Sequence, residues 1–348
     1  MFSQIIEAQV NDLHFKFDEV SGLRSIIAIH NTQRGPALGG CRIIPYSSSQ
    51  DAIRDAIRLA KGMSYKAALA GLSLGGGKAV IMEPEEPYSR KQLFTAFGRF
   101  VDELGGRYIT AMDSGATIED MDVIAQQSPH VTCTSSTGSP APFTAKGVLF
   151  GIEACLKSLP KLSGSLSGLC VAVQGLGNVG YELCGLLHQR GARLIVADID
   201  ENKVNACVDL FGAEAVSTDT IHKASCDIFS PCGLGGILTE QSISELQCHA
   251  VAGAANNQLL TPECGYLLFQ RGILYAPDYL INAGGLIFVA MEHQRWSMEQ
   301  ASLHVQRIEQ TLLKIFKKEQ QSGQPSNIIA DQMANAILFD RSSSQTSA

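Results

Sequence analysis

The stretch that decides the fold of this chain is Leu169-Cys170-Val171-Ala172-Val173-Gln174-Gly175-Leu176-Gly177-Asn178-Val179-Gly180. It begins with an apolar run typical of a parallel strand that is covered on both faces. The glycines follow in a G-x-G-x-x-G pattern and lead into a helix that ends near Gly191. A second apolar strand, 193–197, runs into Asp198, at the distance from the glycines that dinucleotide-binding folds use. The whole unit predicts a parallel α/β sheet that binds a dinucleotide.

Each glycine of this turn has its own predicted role. Gly175 makes the tight turn, Gly177 leaves room for a pyrophosphate at the helix N-terminus, and Gly180 lets the helix and strand pack closely. The Asp198 carboxylate is expected to hydrogen-bond an adenosine ribose and to repel a 2′-phosphate, which favours NAD over NADP. A tight turn without a ligand is the plain alternative, which the surrounding strand and helix pattern disfavours.

The composition bounds the class of protein. A length of 348 residues predicts two domains, and 45% hydrophobic with 18% charged residues is typical of a soluble α/β enzyme. A net charge of −7 excludes the basic surface that nucleic-acid binding requires. No segment has the roughly 20 apolar residues of a membrane span, and the N-terminus has no targeting pattern. The ten cysteines lack metal-ligand spacing, so no metal is expected, and they fit a reducing, cytoplasmic location.

The first half of the chain carries a second glycine-rich feature, Gly75-Gly76-Gly77, which precedes Lys78 and an apolar run. We interpret it as a loop whose backbone approaches a ligand. A helix predicted from Asp51 to about Gly62 places Lys66 just after its end. Two lysines near one cleft would attract a carboxylate. The alternative is a pair of solvated surface lysines.

Further signals lie downstream of the lysines. A strand at 107–112 runs into a loop with Asp113, and strand ends in α/β sheets are where site residues collect. The Ser-, Thr-, Gly- and Pro-rich stretch 132–142 predicts a hinge between domains. Helices are predicted from about Thr144 to Ser158, from Ser297 with a capping box, and after Pro325.

A set of motifs spread over nearly the whole chain resembles one known family. They are Gly35-Pro36-Ala37-Leu38-Gly39-Gly40, Lys66-Ala67-Ala68, Gly75-Gly76-Gly77-Lys78, the G-x-G-x-x-G turn, Ala254-Ala255-Asn256-Asn257, and Tyr275-Ala276-Pro277-Asp278-Tyr279 through Asn282-Ala283-Gly284-Gly285. They are similar to those of the leucine, valine, phenylalanine and tryptophan dehydrogenases, distant relatives of glutamate dehydrogenase.

The resemblance implies NAD-dependent oxidative deamination of an L-amino acid to a 2-oxo acid and ammonia, and the reverse amination. Lys78 matches the catalytic lysine that activates water, and Asp113 matches the carboxylate that exchanges protons with the amino group. Lys66 matches the lysine that holds the substrate carboxylate, with the backbone of Gly39 and Gly40 nearby.

The resemblance also implies residues for substrate and cofactor. Asn257 is expected to contact substrate, and the side-chain pocket is expected to be lined by Leu38, Ala111, Leu286 and Val289. All four are apolar, which makes a charged substrate such as glutamate unfavourable. The expected cofactor-binding residues are Thr144, Gly175, Gly177, Asn178, Val179, Gly180, Asp198, Ala254, Asn256 and Asn282, with Thr144 and Asn282 at the nicotinamide end.

The choice of amino acid is less sharply indicated. Leu38-Gly39-Gly40 look most like the leucine enzymes, which favours leucine and other branched-chain substrates. Asn256-Asn257 and Ser139-Pro140-Ala141-Pro142 look like the aromatic-acid members, so phenylalanine or tryptophan stays open. An apolar pocket distinguishes one methylene by only about 1–3 kcal/mol, so several amino acids are expected to react.

A different class of function is a non-catalytic NAD-binding regulatory module. The intact Lys66, Lys78 and Asp113 disfavour it.

The expected architecture is α/β with two domains separated by a cleft that closes on its ligands. Residues 1–135, with about 325–348, are predicted to form an N-terminal α/β catalytic and dimerisation domain. Residues 136–324 are predicted to form a Rossmann-type doubly wound NAD-binding domain. Members of the family assemble as dimers or octamers, so a homo-oligomer that acts on small molecules, without nucleic-acid or membrane partners, is expected.

Overall fold

The structure is a computed structural model that describes residues 2–162 and 164–339. These residues form two compact units. The first contains the described residues up to Ser139, together with Glu292–Arg295 and the end of the last helix from Ala334. The second contains Pro140–Met291 and Trp296–Met333.

Within the described residues, the first unit is built on a five-stranded sheet. Its elements are α1 (Phe2–Ala8), β1 (Asp12–Asp18), β2 (Leu23–Asn31), β3 (Ala37–Ile44), α2 (Ser49–Leu69), β4 (Gly75–Met82), α3 (Arg90–Glu103), β5 (Tyr108–Met112) and α4 (Ile118–Ala125). The strand order is β1-β2-β4-β3-β5, and β3 runs parallel to both β4 and β5. The carboxyl ends of these three strands therefore share one edge of the sheet.

Alternation along β4 sends its side chains to two different cores. Val80 and Met82 pack with the apolar face of α2, which includes Ala56. Ala79 and Ile81 pack on the opposite face, with the phenylalanines of α3. Because Lys78 has the same parity as Val80, its side chain leaves the sheet on the α2 side.

The helix α2 is longer than the sequence predicted. It does not end near Gly62 but continues to Leu69, because Ala67, Ala68 and Leu69 are buried and hold the last turns in place. Gly62 is exposed, and although glycine has a low helix propensity, it does not end the helix here. Lys66 consequently lies inside the last turn of the helix rather than after it.

The second unit contains a fully parallel sheet. The remaining elements of the chain are α5 (Ala141–Ser158), β6 (Cys170–Gln174), α6 (Asn178–Gln189), β7 (Arg193–Ala197), α7 (Glu201–Phe211), β8 (Glu214–Ala215), β9 (Ile228–Pro231), α8 (Glu240–Glu245), β10 (Ala250–Val251), α9 (Glu263–Gln270), β11 (Leu274–Tyr275), α10 (Asp278–Ile281), α11 (Gly284–Gln294), α12 (Met298–Ser322) and α13 (Ser326–Phe339). Among the described residues, six strands pair in the order β11-β10-β9-β6-β7-β8. Counted from β6 this is the order 3-2-1-4-5-6 of doubly wound dinucleotide-binding sheets. The α/β fold expected from the sequence is confirmed.

The start of one helix differs from expectation and lies next to the division between the two units. The helix α5 begins at Ala141 rather than near Thr144, so the end of the stretch predicted as a hinge is helical. Pro140 and Pro142 fit there because the first N–H groups of a helix have no intrahelical partner. The two units divide between Ser139 and Pro140.

The last helix, α13, is shared between the two compact units. Its start is tied to the second unit, where the Ser326 hydroxyl donates to the Tyr275 carbonyl at 2.6 Å. Its end belongs to the first unit, where Tyr65 donates to the Asn335 side chain at 2.6 Å. None of the helices in the described part of the chain is long and apolar enough to cross a membrane.

Candidate active site

The centre of the site in the first unit is an ion pair between Lys78 and Asp113. Lys78 lies in β4, and Asp113 follows the last residue of β5. The Lys78 Nζ atom is 2.6 Å from Asp113 Oδ2, and the two side chains are only 7% and 24% exposed. The two residues that the sequence nominated as catalytic are thus brought together.

The glycines before Lys78 have a different role from the one expected. Residues 75–77 are not a loop but the buried start of β4. A Cβ at Gly75 would lie 1.8 Å from the Asn31 carbonyl oxygen, and one at Gly76 would lie 2.0 Å from the Ser64 backbone nitrogen. These glycines allow β2 and α2 to approach β4 closely. They position Lys78 through packing.

Arg42 contacts this pair and was not among the residues predicted from the sequence. Its Nε atom donates to Asp113 Oδ2 at 3.2 Å, and its Nη1 atom donates to Asp55 Oδ2 at 2.9 Å. The Tyr46 hydroxyl donates to the same Asp55 oxygen at 2.8 Å. The sequence could have indicated it, because Arg42 is the one charged residue in the otherwise apolar strand sequence Ala-Leu-Gly-Gly-Cys-Arg-Ile-Ile of β3.

Two opposing effects act on the Asp113 carboxyl. Burial by itself would raise its pKa, but the positive charges of Lys78 and then Arg42 outweigh burial, so the pKa lies below its usual value. Asp113 is therefore an anion at neutral pH. A buried carboxylate held between two cations is suited to exchanging protons with a bound amine.

The other residues predicted to bind substrate in this unit lie on β3, β5 and α2. Leu38, Gly39 and Gly40 lie in β3, where Gly40 pairs with Ala111 of β5. The Gly39 carbonyl accepts a hydrogen bond from the buried Tyr108 hydroxyl at 2.6 Å. Leu38 and Ala111 are buried, and Lys66 is half-buried at the end of α2.

The second unit has the geometry of a dinucleotide turn. Gly175 adopts a φ of +94°, which favours glycine, and a Cβ at Gly180 would lie 1.9 Å from the Gly175 carbonyl oxygen. A Cβ at Gly177 would meet nothing within 4 Å, and Gly177 caps α6 without a side-chain hydrogen bond. The first N–H groups of the helix, from Asn178 onward, are thus left for an anion such as a pyrophosphate.

Asp198 stands where the acidic residue of such a site is expected. Its Oδ2 atom accepts from the Leu176 backbone N–H at 2.5 Å, and its Oδ1 atom accepts from that of Asp200 at 2.9 Å. These hydrogen bonds outweigh burial, which would raise its pKa, and the pKa is lowered. Asp198 also lines a cavity of about 310 Å³ with Glu201, Val216 and Thr218.

A second cluster in this unit lies around Asn282. Its amide nitrogen donates to the Ala254 carbonyl at 3.1 Å and to Asn256 Oδ1 at 2.8 Å. Its own oxygen Oδ1 is buried and has no hydrogen-bond partner in the structure. An unpaired buried acceptor is costly and fits a ligand donor such as a carboxamide N–H.

The remaining predicted residues of the second unit are distributed around it. Thr144 lies in α5, where a Cβ on Gly285 would be 2.7 Å from its hydroxyl oxygen. Val179 is half-buried in the first turn of α6, and Leu286 and Val289 are buried in α11. Asn257 is exposed and adopts a φ of +51°, a conformation that is uncommon outside glycine and is often found at functional sites.

Comparison with known proteins agrees with this geometry. The family model described as "Glu/Leu/Phe/Val dehydrogenase, dimerisation domain" matches residues 4–130, and that described as "Glutamate/Leucine/Phenylalanine/Valine dehydrogenase" matches residues 196–347. The leucine dehydrogenase of Geobacillus stearothermophilus is 48% identical over 91% of this chain and 87% of its own length. The L-tryptophan dehydrogenase of Nostoc punctiforme is 44% identical over 98% of this chain and 96% of its own length.

A solved structure is similar over the whole chain as well. The crystal structure of L-tryptophan dehydrogenase from Nostoc punctiforme has a TM-score of 0.89 and 42% identity, and the match covers 98% of this chain and 99% of that one. The family models match most of the sequence, and the relatives are more than 40% identical over nearly the whole chain. Both findings assign the chain to the same family. The chain belongs to the Glu/Leu/Phe/Val dehydrogenase family.

Proposed function

We propose that the protein is an NAD-dependent dehydrogenase of apolar L-amino acids, with leucine and other branched-chain amino acids as preferred substrates. It would convert the amino acid, water and NAD to the 2-oxo acid, ammonia and NADH, and catalyse the reverse amination. The observation that carries the proposal is the buried pair of Lys78, within β4, and Asp113, directly after β5.

The chain's own residues supply binding and proton transfer. Lys66 holds the substrate carboxylate, with the backbone of Gly39 and Gly40 beside it. Lys78 in its neutral form takes a proton from the water that attacks the imino carbon of the substrate. Asp113 exchanges protons with the substrate nitrogen as the amine becomes ammonia.

NAD, when bound, supplies the hydride acceptor for the Cα hydrogen. The residues of the second unit fit this group. The helix N-terminus at Gly177 and Asn178 suits the pyrophosphate, since a Cβ at Gly177 would meet only open space. Thr144, Asn256 and the unpaired Oδ1 of Asn282 suit the nicotinamide carboxamide.

NAD is favoured over NADP by the charge of Asp198. Its lowered pKa keeps it anionic at neutral pH, where it accepts hydrogen bonds from ribose hydroxyls and repels a 2′-phosphate. The Asp198 carboxylate is half-buried and held in place by two backbone N–H groups.

The substrate side chain is proposed to contact Leu38, Ala111, Leu286 and Val289. All four are apolar and buried, so the desolvation of a substrate carboxylate such as that of glutamate would not be compensated. Asn257 is proposed to contact the substrate through its exposed amide.

A second candidate is an aromatic amino acid, phenylalanine or tryptophan. It is favoured by Asn256-Asn257 and by the similarity to an L-tryptophan dehydrogenase over 98% of the chain. A non-catalytic NAD-binding module remains the alternative of another class.

We assign substrate binding and assembly to residues 1–135 with about 325–348, and cofactor binding to 136–324. A homo-oligomer, either a dimer or an octamer, is supported by the family model over residues 4–130, described as a dimerisation domain. The edge strand β1 also exposes Phe15 and Phe17 by 51% and 69%. A cytoplasmic location is supported by the ten cysteines, none of which forms a disulfide in the described part of the chain, since reducing compartments keep thiols reduced.

The test is the rate of NADH formation at alkaline pH with leucine, valine, isoleucine, phenylalanine and tryptophan. Glutamate as substrate and NADP as cofactor are the controls. Higher kcat/KM with the branched-chain amino acids supports the main proposal, and higher kcat/KM with the aromatic ones supports the second candidate. If the protein binds NAD but turns over none of these amino acids, the result would support the non-catalytic NAD-binding module.

A further inference from the structure

Arg42 connects the candidate active site to a second carboxylate. The register of β3 and β5 pairs Cys41 with Met112, so the next residues, Arg42 and Asp113, lie at the same level of the sheet. The guanidinium donates through Nε to Asp113 and through Nη1 to Asp55 of α2. Its side chain is 19% exposed. It therefore spans two carboxylates in a largely buried place.

The far carboxylate is itself fixed. Asp55 accepts from Arg42 and from the Tyr46 hydroxyl at Oδ2, and from Arg58 at Oδ1 at 2.8 Å. Its side chain is 15% exposed. Burial would raise the pKa of Asp55, but its hydrogen bonds and the two arginines lower it. Asp55 is thus a fixed anion that sets the orientation of the Arg42 fork.

We propose that Arg42 is a positioning residue that shares the negative charge of Asp113 with Lys78 and so allows Lys78 to give up its proton. This inference rests on the proposed function. Arg42 and Lys78 donate to the same oxygen of Asp113, Oδ2, and compete for its charge. We place the proton exchange with the substrate nitrogen at the other oxygen, Oδ1.

The physical reason is the difference between the two cations. A guanidinium stays protonated throughout the working range of an enzyme, whereas a lysine can lose its proton. When Lys78 becomes neutral, a buried Asp113 without Arg42 would be an unpaired anion, which is strongly unfavourable. Arg42 removes that penalty because it keeps one cation on Oδ2.

The other ionisable groups around the pair do not replace Arg42. The Cys41 thiol on β3 has its pKa raised to about 12 by burial, and burial raises the pKa of Tyr108 on β5 well above its usual value. Both stay neutral. Asp120 of α4 is held by Arg90 at 2.6 Å, and Lys66 of α2 is assigned to the substrate carboxylate.

The experiment compares the pH profiles of kcat and kcat/KM for the wild-type enzyme, Arg42→Gln, Arg42→Lys and Arg58→Gln. The acidic limb reports the deprotonations that turnover requires, and the proposal predicts that it responds to the charge at residue 42. In Arg42→Gln we expect this limb to move up by about one pH unit, which lowers kcat at pH 8 by about tenfold. Loss of the guanidinium fork should lower kcat by about a further tenfold, so the total fall is about 100-fold. The KM for the amino acid should change by less than about threefold, because the substrate carboxylate is bound elsewhere.

Arg42→Lys keeps the charge but loses the fork, so its limb should stay near that of wild type while kcat falls about tenfold. Arg58→Gln is the matched control, since it removes a guanidinium from Asp55 that does not reach Asp113. The acidic limb of its pH profile should not move.

The proposal would be overturned if Arg42→Gln folds and its acidic limb stays at the wild-type pH. It would also be overturned if the limb of Arg42→Lys is displaced as far as that of Arg42→Gln. If Arg42→Gln does not fold, an Arg42→Lys enzyme with wild-type kcat would overturn it too.

A readout without turnover separates this inference from the proposed function. If the wild-type enzyme forms no NADH with any amino acid, the proposed function fails, and the melting temperature between pH 3 and pH 7 decides the inference. A lowered pKa stabilises the fold above the usual value of 3.8 and ceases to do so as pH falls below it. The gap between wild type and Arg42→Gln should therefore shrink towards pH 3, and at pH 7 it should exceed the gap for Arg58→Gln. A gap that is constant with pH would contradict charge sharing.

Discussion

Lys78 and Asp113 form their ion pair across an intervening strand. They lie in β4 and directly after β5, with β3 between them, yet Nζ and Oδ2 are 2.6 Å apart. The intervening strand carries Gly39 and Gly40 at this level, and a Cβ at Gly40 would lie 2.7 Å from the Asp113 Cβ. Glycine in the middle strand therefore leaves the space in which the Lys78 and Asp113 side chains meet.

The first prediction concerns Lys78 itself. In Lys78→Ala, water activation is lost and Asp113 keeps only Arg42 as a cationic partner. We expect kcat to fall about 10³-fold, within the range for loss of a general base. Steady-state kinetics at saturating NAD and amino acid would measure it. Lys16→Ala, which removes a half-buried lysine of β1 that is paired with Glu103, should retain full turnover. Activity in Lys78→Ala within tenfold of wild type would contradict the mechanism.

The second prediction concerns cofactor choice. Asp198→Asn keeps an oxygen that can accept from the Leu176 N–H but removes the negative charge. We expect the KM for NADP to fall about tenfold, which corresponds to about 1.4 kcal/mol, while the KM for NAD rises. The measurement is the ratio of kcat/KM for the two cofactors. Asp200→Asn, in which an equal charge is removed two residues later at the cap of α7, should leave that ratio in place.

The third prediction tests the packing role of the glycine run. Gly76→Ala would place a methyl group 2.0 Å from the Ser64 backbone nitrogen, so strand and helix must separate. We expect a loss of about 3 kcal/mol in the free energy of unfolding. Gly62→Ala is the control, because its Cβ would meet nothing within 4 Å inside α2, and it should stabilise by about 0.5–1 kcal/mol. Chemical denaturation of both variants measures the difference. Equal stability of the two variants would contradict the packing role of Gly76.

The fourth prediction concerns a buried carboxyl that the mechanism does not use. Glu319 in α12 is 7% exposed, its Oε2 atom has no hydrogen-bond partner in the structure, and burial raises its pKa to about 7. A folded-state pKa above the unfolded one, 4.5, means that stability is full at low pH and declines as pH rises from about 4.5 to 7.

Glu319→Gln removes this penalty. It should therefore be more stable than wild type at pH 8, by up to about 3 kcal/mol, and about equal at pH 4. Melting temperatures across that range would show it. Glu309→Gln is the matched control, because it removes a buried glutamate of the same helix that is paired with Lys157, and it should not be more stable than wild type. A pH-independent difference between wild type and Glu319→Gln would show that Glu319 does not titrate in this range.

Several features of the protein were determined by local sequence. The turn at Gly175–Gly180 and the acidic Asp198 could be recognised because strand, glycine turn and helix are adjacent in the chain, and each obeys short-range rules of backbone conformation. The capping box at Ser297 and Gln300 is confirmed for the same reason. Lys78 and Asp113 were identified by the motifs that resemble the family.

The tertiary structure alone decided the rest, because it depends on contacts between residues far apart in the chain. The glycine run 75–77 is typical of a loop in sequence, and only the close packing of Asn31 and Ser64 against it explains why these residues are glycine in a strand. Nothing in the local sequence of Arg42 indicates that strand register sets it level with Asp113, 71 residues away, with Asp55 behind it. The length of α2 and the division of α13 between two units likewise follow from what each side chain packs against, which no local pattern encodes.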